Sequence, residues 1–103
     1  MTKAEFLQEK GRLTVFLSGE IDHHGAAKIR YDIDSRILKA IPKVVVMDFT
    51  AVTFMDSSGI GLVLARQKTC RDCSASLYVS GIDRQTGKIL ALAGIRTIQN
   101  LNV

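Results

Sequence analysis

Apolar and polar positions along the chain fall into two rhythms, and the points where one gives way to the other mark the expected elements. Lys3 to Gln8 and Arg12 to Ser18 alternate as strands do, with Leu13, Val15 and Leu17 on one face of the second. Their connection, Glu9-Lys10-Gly11, is short and holds a glycine, so the two strands are expected to form a hairpin. The stretch from Gly19 to Gly25 breaks the alternation and reads as a loop, with Asp22 placed to cap the next helix. From Ala26 the rhythm is helical. Ala26, Ile29, Ile33, Ile37 and Ile41 recur at three- and four-residue steps, Lys28, Arg30, Asp34 and Lys39 fall elsewhere, and Pro42 ends the helix.

Val44 to Met47, closing on Asp48, is a continuous apolar run too short for a helix, and it fits a strand covered on both faces. A strand, a helix and a buried strand in that order imply a right-handed crossover joining a parallel pair. Ile60, Val63, Leu64 and Gln67 then mark the packed side of a second helix that runs to about Cys70. Ala75 to Ser80 reads as a strand with Leu77 and Val79 on one face. Asp83 is the expected N-cap of a third helix, with Ile89, Leu90, Leu92 and Ala93 as its apolar side and Gly94 as its C′ stop. Thr97 to Leu101 adds a last short strand. The order β-β-α-β-α-β-α-β predicts an α/β fold, one mixed sheet of four to five strands with helices packed on it. Residues 1–103 are expected to form a single domain.

Composition narrows the function classes. The chain has 103 residues, 47% of them hydrophobic, which is enough for a core. Its formal charge of +4 is scattered without a run of three basic residues, and with few aromatics this argues against a nucleic-acid module. Arg66, Lys68 and Arg71 are the densest basic group; the spacing admits a binding face for an acidic partner and reads first as a solvated helix flank. No apolar stretch is long enough to span a bilayer, and Met1 to Glu5 meets an acid before any long apolar region. A cytoplasmic protein without membrane contact is expected. Cys70 and Cys73 form a lone C-x-x-C near the end of the second helix, without the second pair a zinc site needs, and are expected to be reduced thiols.

The residues with chemistry to offer gather around Phe54-Met55-Asp56-Ser57-Ser58-Gly59-Ile60-Gly61. Here a strand gives way to a helix, whose free N–H groups and dipole favour negative charge. Asp22 and Asp56 precede two helices, but His23 and His24, being adjacent, cannot both join them on one helix face. Asp22, His24 and Ser57 do not make a catalytic triad, since Phe-Met-Asp stands where a nucleophile elbow would need G-x before the serine. Walker and dinucleotide fingerprints are lacking too. No catalytic residue, metal or cofactor is therefore expected. The doubled serine leaves two readings open, a helix cap worth about 1 kcal/mol or a modifiable switch site. Gly59 and Gly61 likewise admit close helix–sheet packing or close approach by another protein.

Gly19-Glu20-Ile21-Asp22-His23-His24, followed by the Phe54 to Gly61 stretch, resembles the anti-anti-sigma factors of the STAS family over nearly the whole chain. The sporulation type that regulates sigma-F is nearest, with the general-stress type close behind. The resemblance implies a protein that, unphosphorylated, binds an anti-sigma factor which is also a serine kinase with a GHKL-type ATP site, and so frees the sigma factor. It implies that the kinase, using its own ATP, then phosphorylates the antagonist and releases it, and that a PP2C-type phosphatase with manganese or magnesium reverses the step. The acceptor matches Ser57, with Ser58 at the following, non-acceptor position. Asp22 matches the loop aspartate that meets the kinase, His23 and His24 complete that motif, and Asp56 matches an orienting acid. Gly59 and Gly61 match the small positions of the recognition helix. The free protein is expected to be a monomer. Many members carry a further C-terminal helix, and the branch is expected to be acidic where this chain is basic. The alternative on the same fold is a non-switching scaffold subunit of a stress-signalling or lipid-transport complex.

Overall fold

The hairpin expected from the alternation is present. β1 (Lys3–Glu9) and β2 (Arg12–Ile21) pair antiparallel from Lys3↔Ser18 to Glu9↔Arg12, and the chain turns through Lys10 and Gly11, both with positive φ. In the computed structural model, which describes residues 1–99, the chain continues through six more elements. These are α1 (His23–Ala40), β3 (Val44–Met55), α2 (Ser57–Asp72), β4 (Ser76–Ser80), α3 (Arg84–Leu92) and β5 (Arg96–Thr97). The five strands lie in sequence order, β1-β2-β3-β4-β5, and every pairing after the first is parallel. This is the mixed α/β sheet, in the β-β-α-β-α-β-α-β order, that the pattern predicts. Of the expected last strand, Thr97 to Leu101, only Thr97 lies in β5, Ile98 and Gln99 are not in a strand, and the part beyond residue 99 lies outside the described residues.

One core forms between the helices and one face of the sheet. Leu13, Val15, Leu17, Val45, Met47, Leu77 and Val79 from the strands meet Ile29, Ile33 and Ile37 of α1 and Leu62 and Val63 of α2. Val46 is 1% exposed yet lies outside that cluster, and its register places it between Thr14 and Tyr78 on the other face. The run from Val44 to Met47 is thus covered on both sides, by helices on one and by its neighbours' side chains on the other. On that second face Asp48, only 6% exposed, accepts hydrogen bonds from Ser80 Oγ at 2.8 Å and Thr50 Oγ1 at 2.9 Å. These bonds satisfy a carboxylate that would otherwise be costly to bury.

Four expectations from the pattern fail, each for a local reason. Gly19 to Gly25 is not a loop. β2 runs on to Ile21 through register shifts between Phe16 and Ser18 and between Gly19 and Glu20, and α1 begins at His23. The bulges absorb the broken alternation, so a strand with a polar, glycine-bearing end looks irregular in sequence. Ile41 is not on the buried stripe of α1. It is the left-handed C-cap at φ 46°, 69% exposed, its N–H donating to Ile37 O. The packed face of α2 is Gly59, Leu62, Val63, Arg66 and Cys70, while Leu64 faces out. In α3 only Leu90 is buried, and Leu92 is 90% exposed. α3 lies beside the two-residue β5, where a narrow stripe is all that the sheet edge can cover, and Ile95 fills the space behind it.

Candidate partner-binding site

The site begins with the register of two parallel strands. Ile21, the last residue of β2, pairs with Met55, the last of β3, and the Asp56 N–H donates to Ile21 O at 3.3 Å. The chain leaves both strands at their C-terminal ends, on the same end of the sheet, so α1 and α2 start side by side. Asp22 caps α1, its Oδ1 accepting from the Gly25 N–H at 2.8 Å. Asp56 caps α2 in the same way, its Oδ1 accepting from the Ser58 N–H at 2.8 Å. Each aspartate satisfies a donor that the helix leaves open and puts negative charge at the positive end of the dipole.

This geometry bears on the readings that the sequence leaves open. Asp56 is the cap of α2, so neither serine is needed as one. Ser57 and Ser58 occupy the first two helical positions, with Ser57 exposed and Ser58 half-buried. The two glycines also part company. A Cβ on Gly59 would fall on Met55 Cγ and Sδ, so this glycine serves close packing of α2 on the end of β3. A Cβ on Gly61 would meet nothing within 4 Å, so no packing inside the chain requires glycine there. His23 and His24, expected in a loop, are the first two residues of α1, both exposed.

Between the two helices lies a groove of about 200 Å³, lined by His23, Ala26, Ala27 and Arg30 of α1 and by Ser58, Gly61, Leu62, Ala65 and Arg66 of α2. The sequence pattern missed most of this lining. Its signal was present as small and cationic residues three and four apart on both helices, a spacing that puts them on one face. Arg66 departs furthest from expectation, being 6% exposed where a solvated flank was predicted. Its Nε lies 2.9 Å from Asp34 Oδ1, a short ion pair whose N–H direction is out of line for a hydrogen bond, and Nη1 finds no acceptor among the described residues. Asp34 is also held by Thr69 Oγ1 at 2.9 Å. Burial lowers the pKa of Arg66 against the opposing pull of Asp34. Lys68 does lie on the solvated flank, pairing with Asp72 at 3.6 Å.

Elsewhere the chemistry is quieter. Cys70 is buried in the last turn of α2, its thiol pushed up to about 11, chiefly by burial, and Cys73 is the half-buried C-cap. A thiol held protonated in this way is a poor nucleophile. Among the described residues no three His, Cys, Asp or Glu side chains cluster as metal ligands would, and no helix is long and apolar enough to cross a membrane.

Comparison with known proteins agrees with the geometry. The family model of the STAS domain matches residues 3–102. The anti-sigma F factor antagonist of Paenibacillus polymyxa is 31% identical over 91 residues, which cover 88% of this chain and 78% of that one. Among solved structures, the anti-sigma factor antagonist SpoIIAA in its unphosphorylated form superposes with a TM-score of 0.80 at 24% identity, over 99% of this chain and 91% of the other. The Bacillus cell fate determinant SpoIIAA in its phosphorylated form gives a TM-score of 0.77 at 24% identity, over 97% and 91% of the two chains. By sequence and by fold, the chain belongs to the STAS domain family, among its anti-sigma factor antagonists.

Proposed function

We propose that this chain acts as an anti-sigma factor antagonist switched by phosphorylation of Ser57. Unphosphorylated, it binds an anti-sigma factor that is also a serine kinase, through the end of the fold where α1 and α2 begin. The sigma factor is thereby released. The kinase transfers phosphate from its own ATP to Ser57, and the complex separates. A phosphatase of the PP2C type removes the phosphate and restores binding.

The observation that carries this reading is that Asp56, not a serine, caps α2, which leaves the exposed Ser57 hydroxyl at the first helical position without a structural task. A phosphate there gains from the helix dipole and is opposed by Asp56 next door, so the fold tolerates it. The same two negative charges would be buried against a partner seated on that surface, and burying an unpaired charge costs several kcal/mol. Asp22 and Asp56 follow the paired residues Ile21 and Met55, His23 lines the same groove as Ser58, and exposed Gly61 lets a partner's backbone come close to α2. Asp56 and Gly59 hold the helix start in place.

The test is to incubate the chain with the serine kinase encoded in its own genome and ATP, then to read intact mass and map the modified residue. The parent and Ser58→Ala are expected to take one phosphate and Ser57→Ala none. Ser57→Asp is expected to lose at least tenfold in kinase affinity, a change of about 1.4 kcal/mol or more. Phosphate transfer to Ser57→Ala at the parent's rate would show the acceptor to be wrong.

A further inference from the structure

β3 outruns its neighbour on one side. β2 accompanies it as far as Met55, whereas β4 pairs with it only from Val44 to Asp48. After β4 the chain turns at Gly81, which lies against Thr50. From Ala51 to Met55 the side of β3 away from β2 therefore meets no strand among the described residues. The Asp56 N–H donates to Ile21 O of β2, and backbone groups alternate sides along a strand, so those of Met55 turn to the open side. Thr53, the extra residue at the register shift beside Gly19 and Glu20, has no partner opposite it in β2 either. An unpaired strand edge is a template for another chain, and proteins commonly cover it or place charges on it. Ala51 to Met55 carry no charge. The edge borders an opening of about 220 Å³ lined by Phe49, Val52, Phe54, Ile82 and Thr86, where Asp83 is the only charged residue among the described ones. Phe54 is 55% exposed.

We propose that this edge receives an extended segment of the anti-sigma factor partner as an added strand beside Ala51 to Met55. An apolar side chain of the segment sits between Phe54 and Ile82, and a basic residue next to it faces Asp83. The proposal rests on the reading that the chain binds its partner where α1 and α2 begin, and it adds backbone pairing as a second element of that contact. Continuity points to the same partner. Phe54 and Met55 run directly into Asp56 and Ser57, so a protein seated on the start of α2 is within reach of the edge. Charge selects the segment, since Asp83 with no cation beside it in the lining draws in a basic stretch and turns away an acidic one. In strand addition the main-chain hydrogen bonds give affinity, and pockets for alternate side chains give specificity.

Two measurements test it. Amide hydrogen exchange is followed on the free chain and on its complex with the kinase. The Thr53 and Met55 amides are expected to exchange about tenfold more slowly in the complex, together with those at the helix entrances. Isotope-filtered NOEs are expected to join the Met55 amide to α-protons of the kinase, as paired strands require. Protection confined to the helix entrances, without those NOEs, overturns the added strand while the proposed function stands. Protection of Met55 that grows with the concentration of the free chain makes the occupant a second copy and overturns the proposal too. In the second measurement kinase affinity is compared for the parent, Phe54→Ala, Asp83→Asn and Leu92→Ala, each well below its melting transition. Phe54→Ala is expected to lose about tenfold. Asp83→Asn keeps a capping side chain without its charge and is expected to lose a smaller factor. Leu92→Ala removes an apolar side chain that is 90% exposed on α3 and is expected to bind as the parent does. Unchanged binding by both Phe54→Ala and Asp83→Asn overturns the proposal, and so does a loss in Leu92→Ala equal to that in Phe54→Ala. A parent that binds no kinase removes the proposed function and this occupant with it.

Discussion

The entrances of α1 and α2 run in step, Asp22-His23-His24-Gly25-Ala26-Ala27 against Asp56-Ser57-Ser58-Gly59-Ile60-Gly61. Both open on an aspartate cap, and both have a buried glycine at the third helical position. They differ at the first two positions, imidazoles in one and hydroxyls in the other, at the fourth, Ala26 against Ile60, and at the fifth, Ala27 against Gly61. The matching residues make contacts inside the chain, and so do Ala26 and Ile60, which pack partly buried against the core. Gly25 lies against Thr2 and the Glu20 carbonyl, Gly59 against Met55, and each aspartate accepts from a helix N–H. The residues at the first, second and fifth positions are exposed or face the groove. A shared backbone device therefore holds two helix starts at one end of the sheet and leaves the first, second and fifth helical positions without that task.

The largest effect expected within this comparison is at the glycines. A Cβ on Gly25 would lie 2.8 Å from the backbone oxygen of Glu20, which cannot move without disturbing β2. Gly25→Ala is expected to cost about 1–3 kcal/mol in urea unfolding, the range for overpacking. Gly59→Ala displaces only the flexible Met55 side chain and recovers about 0.5–1 kcal/mol of helix propensity, so its net cost is expected to be clearly smaller. Equal costs would break the distinction between the two packing environments.

Next come the caps. Asp22→Ala and Asp56→Ala are each expected to destabilise by about 0.5–2 kcal/mol, measured in the same way. A double substitution more costly than the sum of the single ones would show that the neighbouring helix starts act as a unit. Smaller again, and opposite in sign, is Gly61→Ala, which gives α2 the residue α1 has at Ala27. With open space around the new Cβ, it is expected to stabilise by about 0.5–1 kcal/mol.

The smallest effect concerns the third aspartate cap, Asp83 of α3, whose pKa is lowered chiefly by the hydrogen bond it accepts from the Thr86 N–H at 2.7 Å. A depressed carboxylate stabilises the fold above its unfolded pKa, about 3.9, and loses that contribution as pH falls through the folded value. Asp83 is expected to titrate below the ordinary aspartate range by carbon-detected NMR, with the Thr86 amide shifting in the same pH interval. Independent titration of the two would separate this cap from the pair at the groove.

Much of the fold was legible because it depends on near neighbours in sequence. The Ile29, Ile33 and Ile37 stripe, the hairpin at Gly11, the cap residues Asp22 and Asp83 and the strand at Val44 each announce themselves within a few positions. The misreadings concern burial that depends on distant partners. Arg66 resembles any helix-surface arginine until Asp34, on another helix, is found 2.9 Å away. Leu92 has the spacing of a core residue, but α3 lies at the edge of the sheet, where its outer side meets no other layer.

The sequence alone determined the order of elements and the residue types at the two helix entrances, because periodicity and capping act over a single turn or strand. Tertiary structure decided that those entrances lie together, through the pairing of Ile21 with Met55. It also set the Arg66 guanidinium, buried, against Asp34 of the other helix at 2.9 Å. These depend on which surfaces meet across residues far apart in the chain, and no local pattern carries that information.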